Sequence, residues 1–398
     1  MLVVGRDPRA SGVWLEEALT HGIRAAGGDV ILAGVEPTPA IAYMTVDTGA
    51  SAGVVISASH NPAEDNGIKF FSHEGRKLPD AIEDEIEAAL DAPADHAAAL
   101  GEVRPAGDAI DRYLAHLEGA ALAPLDGMRV VVDCANGSAS AVAPALLQRL
   151  GAEVTAINAD PDGVNINDGC GALHPEVVAE AVVRLGADAG VSHDGDADRA
   201  LFASADGAVI DGDQVLAASA IALHEAGELA GDTVVATVMS NIGLERAMHE
   251  HGIALVRTRV GDRYVLDEME RSGAILGGEQ SGHVIFRRYS TTGDGLLTAV
   301  RFLSLAASRG VGVGELASMM RRFPQVLVNV RVDDRDAVSD SPTVAAAVAD
   351  AEKVLGETGR VLLRPSGTEP LVRVMVEAET KDAADRHARA IADVVAAS

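Results

Sequence analysis

The sequence predicts an α/β protein with three related α/β domains, built on mixed or parallel sheets, and a smaller C-terminal α+β domain. Three observations carry this. Strand-like and helix-like periodicities alternate from the first residues; three series of comparable length each end in a polar loop; and beyond Pro324 the pattern changes to alternating, half-buried strands. At 398 residues the chain exceeds what one core can hold, so several domains are required. Their boundaries are expected at 1–123, 124–230, 231–322 and 323–398. A content of 48% hydrophobic but only 3% aromatic residues suits layered packing of small aliphatic side chains.

The first series opens with a strand over residues 1–5 and the loop GRDPRASG, where Ser11 is the expected N-cap of a helix through Leu15 and Leu19 that stops at Gly27-Gly28. A strand at 30–33, the PTP turn at 37–39, a helix at 40–48 and a strand at 53–57 follow. Val54, Val55 and Ile56 read as a parallel strand buried on both faces. Residues 80–90 predict an acidic helix, and 89–101 an Ala/Pro-rich surface connection. The second series begins at Met128, with strand and turn in RVVVDCANG, a helix at 138–150, the strand EVTAIN, a helix at 174–186 and a strand interrupted by charge over 188–202. The third runs from TVVATVMSN through helix 243–250, strand 253–257 and helix 264–272 to AILGGEQSGHVIF. The last domain holds VLVNVRV, a helix at 343–355, two strands within RVLLRPSGTEPLVRVMVEAE and a helix at 381–396.

Acidic residues outnumber basic ones 60 to 32, a formal net charge of -28. This argues against nucleic acid or an anionic membrane as partner, since both need a basic face. An anionic substrate would have to be held by a local cluster of Arg and Lys. No apolar run reaches the roughly 18 residues that span a bilayer, and the opening strand lacks a charged leader, so a cytoplasmic location is expected. Cys134 and Cys170 lack CxxC spacing and are expected as reduced thiols.

Four loops carry chemistry. After the strand ending at Ile56, Ser57, Ser59 and His60 fall at a carboxyl end, where parallel sheets bind ligands, and Pro62 and Gly67 keep them in turns. The strongest signal is HDGDADR: Asp194, Asp196 and Asp198 alternate with small residues, and three carboxylates this close repel unless a cation lies among them. Hard oxygen ligands point to Mg²⁺, with Ca²⁺ or Mn²⁺ as alternatives. RPSGTEP offers Arg364, Ser366, Gly367 and Thr368 on a tight turn suited to a phosphate dianion, with Arg373 on the neighbouring strand. GGEQSGH supplies Glu279, Gln280, Ser281 and His283 for sugar hydroxyls, or is a polar turn. Arg6, Arg9 and Arg263 lie at strand ends, as phosphate ligands or in salt bridges to a neighbouring Asp.

ISASHNPAEDNGIK, DGDADR, GGEQSGH and RPSGTEPLVRVMVE, in that order and separation, resemble the α-D-phosphohexomutases over essentially the whole chain. The resemblance implies four domains in a heart shape around a central cleft, and a phosphoserine at Ser59. It implies one Mg²⁺ held by that phosphate with Asp194, Asp196 and Asp198, and Arg199 nearby. Lys69 and His283 become proton-transfer candidates, and His60 supports the loop. Glu279 and Ser281, with Arg9 and Arg263, become substrate ligands, and Arg364, Ser366, Gly367, Thr368 and Arg373 grip the non-reacting phosphate.

Gln280 and the ISASHNP form of the serine loop point to the members that interconvert glucosamine 6-phosphate and glucosamine 1-phosphate through a hexosamine 1,6-bisphosphate, feeding amino-sugar and cell-wall synthesis. Glucose or mannose phosphates are the alternative substrates, a phosphatase is an alternative activity, and the expected assembly is a monomer or homodimer. The GTDGVRG-like loop and helix with which the family normally begins are not in this sequence. Their absence predicts an apolar patch on the first sheet, a site short of one Arg, and the further alternative of a phosphosugar-binding protein without turnover.

Overall fold

The computed structural model describes residues 1–90, 97–332, 334, 338, 341–365 and 370–398. They form two compact units, one of Met1–Met239 and His251–Met319, the other of Ser240–Glu250 and Met320–Ser398.

In the first unit the chain runs β1 (Leu2–Arg6), α1 (Ala10–Ala25), β2 (Val30–Val35), α2 (Thr38–Asp47), β3 (Ala52–Ile56), β4 (Ile68–Ser72), α3 (Asp80–Ala89), β5 (Val103–Pro105) and α4 (Ala109–Glu118). It continues β6 (Arg129–Asp133), α5 (Ala139–Arg149), β7 (Glu153–Ile157), α6 (Pro175–Leu185), β8 (Ala189–His193), β9 (Ala200–Ser204), β10 (Val209–Ile210) and α7 (Gly212–Glu225). Next come β11 (Thr233–Thr237), α8 (Ile242–Glu250), which belongs to the second unit, β12 (Ala254–Thr258), α9 (Asp262–Ser272), β13 (Leu276–Gly278), β14 (Val284–Phe286), α10 (Gly295–Arg309) and α11 (Val313–Ala317). The second unit adds β15 (Gln325–Arg331), α12 (Pro342–Leu355), β16 (Arg360–Pro365), β17 (Leu371–Glu377) and α13 (Lys381–Ala396).

The three sheets of the first unit share one topology. Their orders are β4-β3-β1-β2-β5, β10-β9-β8-β6-β7 and β12-β11-β13-β14. Each contains a common core of three parallel strands with one antiparallel strand, β4, β9 or β14, beside the third of them; β5 extends the first sheet and β10 the second. The serine, metal and sugar loops are the three connections into that returning strand, so three repeats deliver three loops from equivalent positions. The central strands β3, β6, β8 and β11 are almost wholly buried while the edge strands β7 and β12 are not, the pattern of sheets covered on both faces.

Sequence and structure part at specific points. Helix α1 begins at Ala10 after Arg9, with no side-chain cap; Ser11 lies in its first turn and its hydroxyl accepts from Asn66 Nδ2 (2.9 Å). Helix α10, unassigned in the sequence, is buried without interruption from Gly295 through Ala306, so it has no polar face to mark its period. Of the 89–101 connection, residues 91–96 lie outside the described residues. Ile68, 43% exposed, and half-buried Phe70 of β4 line a groove together with Ile86 of α3 and Leu90, which follows it.

In the second unit the antiparallel sheet β15-β17-β16 packs with α12 and α13 around Val344, Val372, Val374, Val376 and Ile391. The buried Glu377 carboxylate accepts from Ile242 N–H (2.9 Å), which ties α8 to this unit. Among the described residues no helix is long and apolar enough to cross a membrane.

Candidate active site

The serine loop rests on a buried ion pair. Asp7 and Arg9, both fully buried, meet at 2.8 Å. The Arg9 guanidinium donates to the carbonyls of Ser59 (2.9 Å), Asn61 (2.8 Å), Asp65 (3.0 Å) and Pro62. Asp7 accepts from Ser57 Oγ (2.6 Å), which in turn accepts from Ser59 N–H (2.9 Å). Burial raises the Asp7 pKa, with Ser57 and Arg9 opposing. Asn167 Nδ2 adds bonds to the carbonyls of Ser59 (3.0 Å) and Asn61 (3.1 Å). These contacts hold Ser59 at φ 51°, a left-handed conformation uncommon for serine, which surrounding structure must enforce. The sequence left Arg9 as a substrate ligand or the partner of a neighbouring Asp; the structure pairs it with Asp7 and gives its remaining donors to the serine loop.

The metal loop joins β8 to β9. Asp194, Asp196 and Asp198 are 0%, 1% and 5% exposed, and one carboxylate oxygen from each lies within 4.8 Å of the others. Ser59 Oγ donates to Asp194 Oδ2 at 2.7 Å. Asp196 Oδ2 accepts from Lys69 Nζ (2.8 Å) and Thr38 Oγ1 (2.7 Å), and Thr38 N–H holds the Asp196 carbonyl (3.0 Å). Arg199 Nε lies 3.9 Å from Asp194 and 3.7 Å from Asp198. Gly195 is required for this approach, since a Cβ there would stand 2.7 Å from the Ser59 carbonyl. Gly295 N–H on the Ala197 carbonyl (3.0 Å) and His193 Nδ1 on the Arg199 carbonyl (2.9 Å) complete the frame.

Like charges about 4 Å apart repel by roughly 4 kcal/mol at the effective dielectric of such sites, so three buried carboxylates need compensation. Lys69 and Arg199 supply two charges. Asp196 Oδ1 and Asp198 Oδ1 remain buried without a hydrogen-bond partner. A hard divalent cation fits this donor set, which has no sulfur ligand. Burial and the neighbouring Asp198 and Asp196 push the Asp194 pKa up. Burial would raise Asp198 too, but His283, Lys69 and Arg199 outweigh it and hold that carboxyl below the usual range. Burial would lower the Lys69 pKa, yet Asp196 and Asp198 raise it, so its ammonium stays charged. His60, 3.4 Å from Ser59 Oγ through Nδ1, has its pKa lowered by burial and by Arg199.

The sugar loop closes on the same centre. His283 Nδ1 lies 3.5 Å from Asp198 Oδ2 and Nε2 lies 3.8 Å from Asp262 Oδ2. Burial opposes protonation of this ring while Asp198 and Asp262 favour it, but Nε2 accepts Gly293 N–H (3.1 Å), which leaves the proton on Nδ1, facing Asp198. Glu279 accepts from Gly261 N–H (3.0 Å), Gln280 Nε2 reaches Asp211 (3.4 Å), and Ser281 Oγ is buried without a partner. A groove of about 830 Å³ is lined by Lys69, Lys77, Gly261, Asp262 and Arg263. Arg263 is turned to Asp80, Glu83 and the Leu78 carbonyl. The structure thus brings Ser59, His60, Lys69, the three aspartates, Arg199 and His283 together.

In the second unit Arg364 and Arg373 face each other in register across β16 and β17. Ser366, Gly367 and Thr368 lie outside the described residues. Sequence reasoning placed Ser57 at the site but missed Asp7, Thr38, Asn167 and Asp262. Only Asp7 had a signal, as the neighbouring acid that could pair with Arg9.

Comparisons with known proteins agree with this geometry. Four family models match in succession: phosphoglucomutase/phosphomannomutase alpha/beta/alpha domain I over residues 1–96, domain II over 111–207, domain III over 211–323 and the C-terminal domain over 327–394. The phosphoglucosamine mutase of Saccharopolyspora erythraea is 57% identical over 397 residues, covering 99% of this chain and 89% of that protein, and that of Thermobifida fusca is 54% identical over 395 residues, covering 99% and 88%. Among solved structures, a phosphoglucomutase/phosphomannomutase family protein of Burkholderia thailandensis matches with a TM-score of 0.84 at 27% identity, over 100% of this chain and 89% of that one. The N-acetylphosphoglucosamine mutase of Aspergillus fumigatus, solved with GlcNAc-6P and magnesium, shares the fold at a TM-score of 0.70 and 20% identity, over 96% and 93%. With all four of its domains matched in order, the chain belongs to the phosphoglucomutase/phosphomannomutase family.

Proposed function

We propose that the chain is an isomerase that interconverts glucosamine 6-phosphate and glucosamine 1-phosphate through a phosphorylated Ser59 and a glucosamine 1,6-bisphosphate intermediate. The observation that carries it is the Ser59 hydroxyl, 2.7 Å from Asp194 at the edge of a buried carboxylate trio. Relatives at 54–57% identity over nearly the whole chain bear the name phosphoglucosamine mutase, which supports the choice of sugar.

In the first half-reaction the phosphoserine gives its phosphoryl group to the free hydroxyl of the bound monophosphate. The Oγ–P bond breaks as the sugar O–P bond forms, and the hydroxyl proton passes on balance to Ser59 Oγ. Lys69, charged and 2.8 Å from Asp196, is the proposed proton carrier, with His60 supporting the serine loop. The bisphosphate then turns, and its other phosphate returns to Ser59 by the reverse chemistry. Asp194, Asp196 and Asp198, with the phosphate on Ser59, would hold Mg²⁺, which when bound supplies charge neutralisation for phosphoryl transfer. Arg199 adds a fixed positive charge beside the same carboxylates.

Glu279 and Ser281 are proposed sugar ligands, the latter because its buried hydroxyl lacks a partner. Arg263 and Lys69 line the groove proposed to admit the substrate. Arg364 and Arg373, with Ser366, Gly367 and Thr368, are proposed to grip the phosphate that is not reacting. His283 is assigned to holding Asp198, since its ring nitrogens face Asp198 and Gly293 N–H.

A coupled assay with protein pre-incubated with Mg²⁺ and a trace of glucose 1,6-bisphosphate tests the sugar. The proposal expects glucosamine phosphate to turn over with the highest kcat/KM. Equal or faster turnover of glucose or mannose phosphate would reassign the substrate, and net release of inorganic phosphate would indicate a phosphatase.

A further inference from the structure

Helices α7 and α10 flank a cavity of about 210 Å³, and none of its lining residues belongs to the active site. Arg301 of α10 reaches it. Arg301 is 9% exposed as a residue; its guanidinium donates through Nη1 to the Ala120 carbonyl (2.9 Å) and sits 5.6 Å from the ring of Phe286 and 5.5 Å from that of Tyr289. Its Nε is buried without a hydrogen-bond partner, and among the described residues no carboxylate pairs with it. Arginine is rarely buried without an acid. The two nearby acids are engaged elsewhere, Glu228 with Arg288 (2.8 Å) and Glu225 with Arg309. The uncompensated burial is felt as a lowered Arg301 pKa.

We propose that this cavity binds a small monocarboxylate with an apolar body, its carboxylate on Arg301 and its body against Leu122, Leu223 and Leu305. A guanidinium forms a charge-assisted hydrogen bond to a carboxylate, and Ser219, Ser308 and Arg309 line the same space. Leu122, Leu223 and Leu305 give one side of the space an apolar wall that a wholly hydrophilic ion would leave uncovered. In a protein of net charge -28, a local excess of Arg favours an anion against the overall field.

Fluorine NMR with 4-fluorobenzoate as probe tests the site on the full chain. Saturable line broadening is expected, unchanged by excess glucosamine 6-phosphate. In Arg301→Met, which keeps the stem packed on the two rings, affinity should fall by about tenfold or more, the loss of a charge-assisted pair. Ala222→Leu fills the cavity without touching the cation and should weaken binding as much, so the test stands even if Arg301→Met fails to fold. Both variants are expected to keep the basal mutase turnover. No saturable broadening in the native chain, displacement by glucosamine 6-phosphate, or binding that survives Ala222→Leu would overturn the proposal.

Discussion

Ser59 Oγ and Asp194 Oδ2 lie 2.7 Å apart across 135 residues of sequence. The contact joins the loop ahead of β4 to the loop ahead of β9, equivalent connections in two sheets of the same topology. A serine held at φ 51° directs its hydroxyl at three buried carboxylates, and that geometry generates testable consequences.

Thr38 orients a carboxylate that is proposed to hold the metal. Its hydroxyl and Lys69 both engage Asp196 Oδ2, leaving Oδ1 free for a cation. Thr38→Val should weaken apparent Mg²⁺ affinity by about 10–100-fold, the usual effect of losing such a supporting bond, while Thr38→Ser should restore it. Titrating Mg²⁺ against activity reads this; identical curves for Val and Thr would remove Thr38 from the site.

Arg9 is expected to be structural. Removing one partner of a buried ion pair costs about 3–5 kcal/mol, so Arg9→Met should lower stability by that order in denaturant unfolding and reduce kcat by releasing the serine loop. A raised KM at unchanged stability would put Arg9 on the substrate instead.

Asp294 predicts a pH dependence of stability. Burial raises its pKa from 3.8 to about 6, against hydrogen bonds from Leu297 N–H and the Tyr113 hydroxyl. The folded protein therefore binds this proton more tightly than the unfolded chain does. Its contribution, about 3 kcal/mol, is fully present below the unfolded value of 3.8 and is lost as pH rises through about 6. His116 on α4 lowers the Asp294 pKa in part. Asp294→Asn should flatten the stability profile over that range; parallel profiles for the two proteins would contradict the assignment.

What the sequence made legible follows from where chemistry and periodicity coincide. DGDADR announces a cation because carboxylates at every second position have no cheaper arrangement, and ISASHNP follows a strand whose apolar run marks it as buried. The supporting shell was not legible. Thr38 sits in an ordinary PTP turn, and its bond to Asp196 spans 158 residues that no local pattern encodes. Helix α10 was hidden because burial on all sides erases amphipathic spacing. Arg9 had two readings, and only the packing of Asp7 beneath the serine loop decides between them.

The most direct test of the central claim is intact-mass spectrometry, with peptide mapping, of protein incubated with Mg²⁺ and glucose 1,6-bisphosphate. The account predicts one added phosphoryl group on Ser59, discharged by glucosamine 6-phosphate and absent from Ser59→Ala. An unmodified native protein that still isomerises glucosamine phosphate, or a phosphoryl group retained in Ser59→Ala, would contradict it.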